Sequence, residues 1–222
     1  MKSHEAYRGI YSQYLKQNQS RFFDVNINEI MADFEERIQS FKFDPKGIKE
    51  KPVVLDLGCY DFPHYYAMYD YFENFTYIGV ETHLPKEIKA IVELIQEKYG
   101  NFHLLKMDIA DQEKLKNKLA ELTGHSKADV ILVEQLAVRD EANSKETDQL
   151  LKNVIQHLAP AILSESGVLH LEAASSHQIE TIKKWLDDEQ TRGLYDYTKN
   201  GDNFLCWRAG MGKVKVADFN PL

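Results

Sequence analysis

The stretch VVLDLGCYDF, residues 53–62, decides the fold of this chain. It opens with a nearly continuous apolar run, which is expected of a strand that is buried on both faces of a parallel sheet. Asp56 lies near the end of that strand, and Gly58 allows the backbone to turn without a Cβ clash. A helix is predicted to begin between Asp61 and Pro63. The stretch therefore predicts a strand, a tight turn and a helix in succession.

Further apolar runs follow this strand, and helix-length amphipathic segments separate them. Such alternation is typical of βαβ units and of a doubly wound, mostly parallel sheet. The chain is therefore predicted to have an α/β fold. The predicted strands are Pro52–Leu57, Thr76–Glu81, Phe102–Met107, Asp129–Glu134 and Gly167–Glu172.

Local start signals support three of the intervening helices. The segment Pro85–Tyr99 begins on a proline, which favours the first position of a helix. The patterns Asn143-x-x-Glu146 and Ser175-x-x-Gln178 resemble capping boxes, and a helical apolar period follows each of them. These signals place helices where the βαβ pattern requires them.

Both ends of the chain differ from this central pattern. Residues 194–209, LYDYTKNGDNFLCWRA, predict two antiparallel strands around Asn200-Gly201, a dipeptide that favours a hairpin turn. Residues 43–52 lack a hydrophobic period and predict a boundary between an N-terminal helical extension, 1–50, and an α/β domain, 51–222. Two amphipathic helices are predicted in the extension, marked by Tyr7, Ile10, Tyr11 and Tyr14 and by Ile27, Ile30, Met31 and Phe34.

Composition narrows the classes of function. The 222-residue chain has a formal net charge of −8 and no basic stripe, so we expect neither nucleic acid nor a membrane as its partner. Cys59 and Cys206 lie far apart, and the polar start MKSHEAYRG shows no secretory signal, so free thiols and a cytoplasmic location are expected. The histidines form no HxxxH or HExxH pair, so no metal site is predicted.

Acidic residues end three successive predicted strands. Asp56 ends the first, Glu81 the second, and Asp108 follows the third. The carboxyl ends of parallel strands meet at one edge of a sheet, where open α/β folds bind their ligands. Each residue alone also fits a structural role, as a hydrated strand end or a helix cap. Their convergence on one edge predicts a binding site there.

The motifs resemble, in order, those of the class I S-adenosylmethionine-dependent methyltransferases. They are VVLDLGC, YIGVETH, LLKMDIAD, ADVILVEQLAV, LLKNVIQHLAPAILSESGVLHLEA and DNFLCWRA, and together they cover about residues 52–210. The resemblance implies a Rossmann-like domain with a seven-stranded sheet of order 3-2-1-4-5-7-6, in which strand 7 is antiparallel. It also implies S-adenosylmethionine as the cofactor.

The resemblance implies a cofactor pocket formed by residues that follow successive strands. By position these are Asp56, Gly58 and Cys59 at the methionine end, Glu81 at the ribose, Asp108 and Ile109 at the adenine, and Glu134 and Gln135 beneath the methyl group. Cys59 also fits as a small buried filler.

The chain departs from the family in the glycine loop, where Tyr60 and Phe62 stand at positions that commonly hold glycine. Bulky side chains there could narrow the pocket, so a catalytically silent fold that binds a partner protein is an alternative. An NAD-dependent oxidoreductase is a further alternative, but a dinucleotide needs close backbone approach to its pyrophosphate and suffers more from the missing glycines. The sequence favours the methyltransferase.

Methyl transfer is an in-line displacement that needs alignment of donor and acceptor more than a protein nucleophile. A general base could assist a hydroxyl or ammonium acceptor, and the candidates are Glu134, His64 and His83. No Asn/Asp-Pro-Pro-Tyr/Phe segment follows the fourth strand. Together with the negative charge, this predicts an O or N acceptor on a small molecule, or on a protein side chain. The N-terminal helices are predicted either to form a lid over that acceptor or only to cover the sheet.

Overall fold

The computed structural model describes residues 8–10, 12–14, 32, 35–39, 41, 47–60, 62–84, 86–134, 136 and 144–210. Its centre is a seven-stranded sheet of order β3-β2-β1-β4-β5-β7-β6. Strands β1 to β5 run parallel, and β7 is antiparallel to both of its neighbours. The predicted α/β fold, strand order and antiparallel seventh strand are confirmed. The strands are β1 Val53–Leu57, β2 Thr76–Glu81, β3 Phe102–Lys106, β4 Ala128–Glu134, β5 Leu163–Glu172, β6 Tyr195–Asn200 and β7 Asn203–Arg208.

Helices connect the parallel strands. They are α1 Pro63–Ala67, which continues as a 3-10 turn at Met68–Asp70, α2 Lys86–Lys98, α3 Gln112–Thr123, α4 Lys145–Asn153, α5 Ala159–Ile162 and α6 Ser176–Thr191. A π-helical turn, Val154–Leu158, joins α4 to α5. Pro160 follows this turn, and it has no backbone N–H to donate to the carbonyl four residues earlier.

Side-chain caps define where several helices begin. Ser175 accepts a hydrogen bond from the backbone N–H of Gln178, as its capping pattern predicted. The cap of α4 is Ser144, which accepts from Thr147 N, and not Asn143 as predicted. Both residue types serve as N-caps, so the sequence pattern left the start of this helix uncertain by one position.

Strand β5 is longer than predicted, because it begins at Leu163 and not at Gly167. Its pairing with β4 shifts register between Ala128 and Val130, so the first residues of β5 form an irregular segment. Within that segment Ser164 donates its hydroxyl to Asp129 at 2.9 Å. A polar side-chain bond thus extends a strand that hydropathy alone would begin later.

The sheet separates two apolar clusters. One face packs against α3, α4 and α6, and the other packs against the aromatic helix α1 and against α2. The second face also receives four buried side chains from the N-terminal segment, Ile10, Tyr14, Ile38 and Phe41. This segment therefore shares a core with the sheet. The predicted apolar positions Tyr7, Tyr11, Ile27, Ile30, Met31 and Phe34 lie outside the described residues.

Three further predictions concern cysteines, metal and membrane. Cys59 and Cys206 are both buried and form no disulfide. Across the described ranges, no three histidine, cysteine or acidic side chains come together in a group that could hold a metal ion. No helix in the same ranges is long and apolar enough to cross a membrane.

Candidate cofactor and active site

The bend after β1 has left-handed backbone at three alternating positions. The φ angle is 80° at Gly58, 38° at Tyr60 and 49° at Phe62. A side chain at Gly58 would be strained by the left-handed φ, and its Cβ would lie 2.8 Å from Leu136 Cδ1, so that leucine would have to shift. Positions 60 and 62 are those at which the family resemblance implied glycine. The bend therefore keeps glycine-type backbone conformations with bulky residues in place.

The side chains of Tyr60 and Phe62 point to different environments. Phe62 is buried, and its ring centroid lies 5.1 Å from that of Phe102 in an edge-on contact. Tyr60 is 53% exposed. The ring of Phe62 thus belongs to the core, and the ring of Tyr60 lies at the surface.

Glu81 joins the end of β2 to this bend. One carboxylate oxygen accepts from the backbone N–H groups of Thr82 at 2.7 Å and of His83 at 3.2 Å. The other accepts from Tyr60 N at 3.3 Å. The predicted ribose-binding carboxylate and the predicted cofactor loop are therefore in direct contact.

Asp108 and Ile109 follow β3, which pairs with β2. Asp108 is exposed and accepts from Ala110 N at 2.8 Å, whereas Ile109 is buried. His83 is exposed, with Nδ1 3.1 Å from Thr82 Oγ1, and it follows β2. Two strand spacings separate β2 from β4, or about 10 Å. His83 therefore lies at the Glu81 side of the edge and not beside Glu134.

A buried polar network lies below the same edge. His64, from α1, bonds to Asp56 Oδ2 through Nδ1 at 2.8 Å and to Glu134 through Nε2. Tyr77, from β2, donates its hydroxyl to Asp56. His170, from β5, places Nδ1 3.6 Å from Glu134 Oε1. The network connects the carboxyl ends of β1 and β4 through one imidazole ring.

Phe41 covers this network from the N-terminal segment. Its ring centroid lies 5.1 Å from that of His64 and 5.5 Å from that of His170. Tyr71 donates its hydroxyl to the carbonyl of Phe41 at 3.1 Å, which fixes the backbone at that point. The N-terminal segment therefore contacts the polar centre of the molecule through at least one buried aromatic ring.

The charges of the network follow from its geometry. Burial alone lowers the pKa of His64, but the carboxylates of Glu134 and Asp56 outweigh burial and raise that pKa well above 6.5. Burial alone raises the pKa of Glu134, but the charge of His64 outweighs it, so this pKa is lowered. Burial lowers the pKa of His170. At neutral pH a protonated His64 thus lies between two carboxylates, beside a neutral His170.

This arrangement bears on the predicted general bases. Both nitrogens of His64 donate to carboxylates, so the ring has no lone pair with which to accept a proton. The lowered pKa of Glu134 makes it a weaker base than an ordinary glutamate. Gln135, predicted to lie beneath the methyl group, falls outside the described residues.

Sequence reasoning missed Tyr77 and His170. Each stands inside an apolar run that becomes a buried strand, TYIGVE and VLHLE. A buried polar group requires a partner, so a histidine within such a run could have been read as a sign of a polar network. Tyr77 carried no comparable signal, because tyrosine is common in strands.

Comparison with known proteins identifies the fold and corrects one prediction. No family profile and no curated protein matches the sequence. Among solved structures, a fibrillarin/Nop5p complex has a TM-score of 0.51 and 19% identity, over 78% of each chain. A TDP-rhamnose 3'-O-methyltransferase of calicheamicin biosynthesis has a TM-score of 0.50 and 9% identity, over 94% of this chain and 93% of that one. A fibrillarin from Methanococcus jannaschii, described as a pre-rRNA processing protein, has a TM-score of 0.49 and 16% identity, over 76% and 70%.

The prediction of a small-molecule acceptor and no nucleic-acid partner is wrong, because the structures that share this fold include a fibrillarin/Nop5p complex, so the fold does not restrict the partner to a small molecule. Net charge is summed over the whole chain and does not describe the surface around one site. The sheet order, the antiparallel seventh strand and the structural matches agree on one architecture. The chain has the Rossmann-like fold of the class I S-adenosylmethionine-dependent methyltransferases.

Proposed function

We propose that the chain binds S-adenosylmethionine along the carboxyl edge of β1 to β4 and transfers its methyl group to an acceptor. The observation that supports this most is the contact between Tyr60 N–H and the carboxylate of Glu81. It brings the bend after β1 and the acidic end of β2 together, with Asp108 following the adjacent strand. A nucleoside needs this combination of a backbone bend and carboxylate acceptors on neighbouring strands.

The residues at the nucleoside side fit such a ligand. A ribose offers two hydroxyl donors, and a carboxylate oxygen has two acceptor sites. Glu81 Oε2 accepts a long 3.3 Å bond from Tyr60 N, which leaves acceptor capacity on that oxygen. Asp108 is exposed and accepts its bond from Ala110 through Oδ1, so Oδ2 can accept from an exocyclic amine.

At the methionine side, Asp56 contributes indirectly. Asp56 is 1% exposed and accepts from His64 and Tyr77, so it supports the site through those groups. Two carboxylates and one imidazolium leave a net single negative charge near Glu134, whose side chain is 17% exposed. That charge favours a cationic ligand at the ends of β1 and β4.

When bound, S-adenosylmethionine supplies an electrophilic methyl group on a sulfonium. The chain contributes by holding and orienting what binds at its edge, and alignment of this kind accounts for much of the catalysis in a displacement reaction. The bond from His64 Nε2 holds the Glu134 carboxylate in one position.

Isothermal titration with S-adenosylmethionine, S-adenosylhomocysteine and NAD tests the proposal. We expect the two sulfur nucleosides to bind at micromolar strength and NAD not to bind. Glu81→Ala should weaken binding of the sulfur nucleosides at least about tenfold, because it removes charge-assisted hydrogen bonds to the ribose. Glu121→Ala is the matched control, since Glu121 lies near the end of α3 and pairs with Lys118 at the surface.

One observation favours a second candidate, a methyltransferase-like fold that binds a partner without catalysis. The interior of the site is already occupied by the chain's own cation, because His64 bonds to both Asp56 and Glu134. Failure of both sulfur nucleosides to bind would reject the methyltransferase and leave this candidate. If they bind, transfer of a radiolabelled methyl group to RNA, to protein or to small molecules identifies the class of acceptor.

A further inference from the structure

Tyr60 combines two features that are rarely found together. Its backbone is left-handed, with φ at 38°, and its side chain is 53% exposed. The left-handed region is unfavourable for a residue with a bulky side chain, and glycine adopts it freely. Among the described residues, Tyr60 and Leu194 are the two large hydrophobic side chains that are exposed.

Phe62 shows how such strain can be compensated within the fold. It too is left-handed, but its ring is buried and packs against Phe102. Burial of an aromatic ring offsets an unfavourable backbone conformation. The exposed ring of Tyr60 receives much less of this compensation, so folding stability does not explain a tyrosine at this position.

The location of Tyr60 suggests what its ring contacts. Its N–H lies 3.3 Å from the carboxylate of Glu81, which is the proposed ribose acceptor. The ring begins three bonds from this backbone nitrogen, so it lies close to any nucleoside that Glu81 holds. Residues with strained backbone angles concentrate at ligand sites, where contacts with the ligand can offset a strain that contacts within the fold do not.

We propose that the ring of Tyr60 is a binding surface for the nucleoside held by Glu81, so that its strained backbone serves ligand binding. This inference rests on the proposed function. A glycine at position 60 would relax the backbone but provide no ring. The ring therefore gains contact with the ligand at the expense of the stability of the free protein.

Tyr60→Gly tests the inference through two readouts that should move in opposite directions. The urea midpoint of the free protein should rise, because glycine removes the left-handed strain. The dissociation constant for S-adenosylhomocysteine should increase about tenfold, the effect of losing one aromatic contact with a nucleoside. Tyr60→Phe keeps the ring and should bind within about twofold of wild type.

Two further variants separate the ring from the backbone. Tyr60→Asn keeps a residue that tolerates left-handed φ but has no ring, and it should bind as weakly as Tyr60→Gly. Phe62→Gly is the matched control for strain, and it should lower the urea midpoint because a buried ring is lost.

The outcomes distinguish this inference from the proposed function. If wild type binds and Tyr60→Gly binds equally well, the inference is overturned and the proposed function stands. A lower urea midpoint in Tyr60→Gly would also overturn it, because the ring would then stabilise the fold. If wild type binds neither sulfur nucleoside, both fail together.

Discussion

At the scale of single residues, the bend after β1 shows that a backbone conformation can persist after its usual residue is replaced. Gly58 is favoured by its left-handed φ and by the close approach of Leu136, whereas Tyr60 and Phe62 adopt left-handed backbone against their intrinsic preference. The absence of a glycine from the sequence pattern therefore does not show that the loop has lost its shape. Tyr60 and Phe62 differ in what they contribute to stability, because the ring of Phe62 is buried and the ring of Tyr60 is exposed.

His64 is the other residue on which the site depends. Its side chain is buried and lies between two carboxylates from different strands. Removing one member of a buried ion pair leaves an uncompensated charge in the interior. We expect His64→Gln to lower the free energy of unfolding by about 3 kcal/mol at neutral pH.

The pH dependence of stability reports on the proton of His64. Its raised pKa means that the folded chain keeps this proton above 6.5, where the unfolded chain loses it. The free energy of unfolding should therefore fall as pH rises from about 6.5, by up to about 1.4 kcal/mol per unit, until the folded His64 titrates. The lowered pKa of Glu134 acts at lower pH. The lowered pKa of His170 makes stability rise with pH until the unfolded chain has lost that proton, at about pH 7.5, and burial raises the pKa of the Cys206 thiol, which makes stability fall from about pH 8.

Urea denaturation between about pH 7 and pH 8, where His170 and Cys206 contribute least, measures the slope due to His64. The slope should be present in wild type and absent in His64→Gln. His157→Gln, which changes an exposed histidine on the π-helical turn, is the control and should keep the slope. Equal slopes in wild type and His64→Gln would show that His64 holds no proton above its ordinary pKa.

At the scale of elements, the first turn of α6 ties two strand ends together. Gln178 is fully buried, and its amide donates to the carbonyl of Leu136 at 3.1 Å while accepting from Ala174 N at 2.8 Å. Leu136 follows β4 and lies against Gly58, so the start of one helix positions the bend that follows another strand. The helix therefore contributes to the site without carrying a residue predicted to touch the ligand.

Gln178→Ala should lower the free energy of unfolding by about 2 kcal/mol, because the buried Leu136 carbonyl and the backbone N–H of Ala174 lose their partner. Ser175→Ala, which removes the cap of the same helix, should cost about 1 kcal/mol. Urea denaturation of both variants gives the comparison. A smaller loss in Gln178→Ala than in Ser175→Ala would show that water replaces the buried amide.

Elements were predictable from the sequence to the extent that local patterns determine them. The apolar run of β2 was placed with its bounds correct, and the Ser175 cap was identified from its spacing. The register shift in β5 was not predictable, since it depends on a bond between Ser164 and Asp129. The bond from His64 to Glu134 was also not predictable, because it joins residues far apart in the chain.

At the scale of the whole molecule, the carboxyl and amino ends of the parallel strands, here called the carboxyl edge and the amino edge, differ in function. The carboxyl edge carries the half-buried Glu81, the exposed Asp108 and the bend with its unfavourable backbone angles. The amino edge carries Asp129, the second residue of β4, which is almost fully buried and uses both of its carboxylate oxygens as hydrogen-bond acceptors. It accepts from Val53 N at 2.8 Å and from Ser164 at 2.9 Å, and it pairs with Lys49 at 2.8 Å.

This division predicts that stability and ligand affinity can be changed separately. Asp129→Ala should lower the free energy of unfolding by about 2 kcal/mol, because the buried Val53 N–H loses its charged acceptor, while the half-exposed Lys49 can be solvated by water. Its affinity for S-adenosylhomocysteine should stay within about twofold of wild type, since the bonds lost lie at the opposite edge. Asp129→Asn retains one carbonyl acceptor and should be destabilised less. Glu81→Ala should show the reverse pattern, with affinity lost and a smaller fall in the free energy of unfolding than in Asp129→Ala, because Glu81 is only half-buried and water can replace its bonds to backbone N–H groups. Weakened binding in Asp129→Ala at a temperature where the protein is folded would show that the two edges are coupled through β1 and β4. In that case the sheet would be part of the binding mechanism and not only its support.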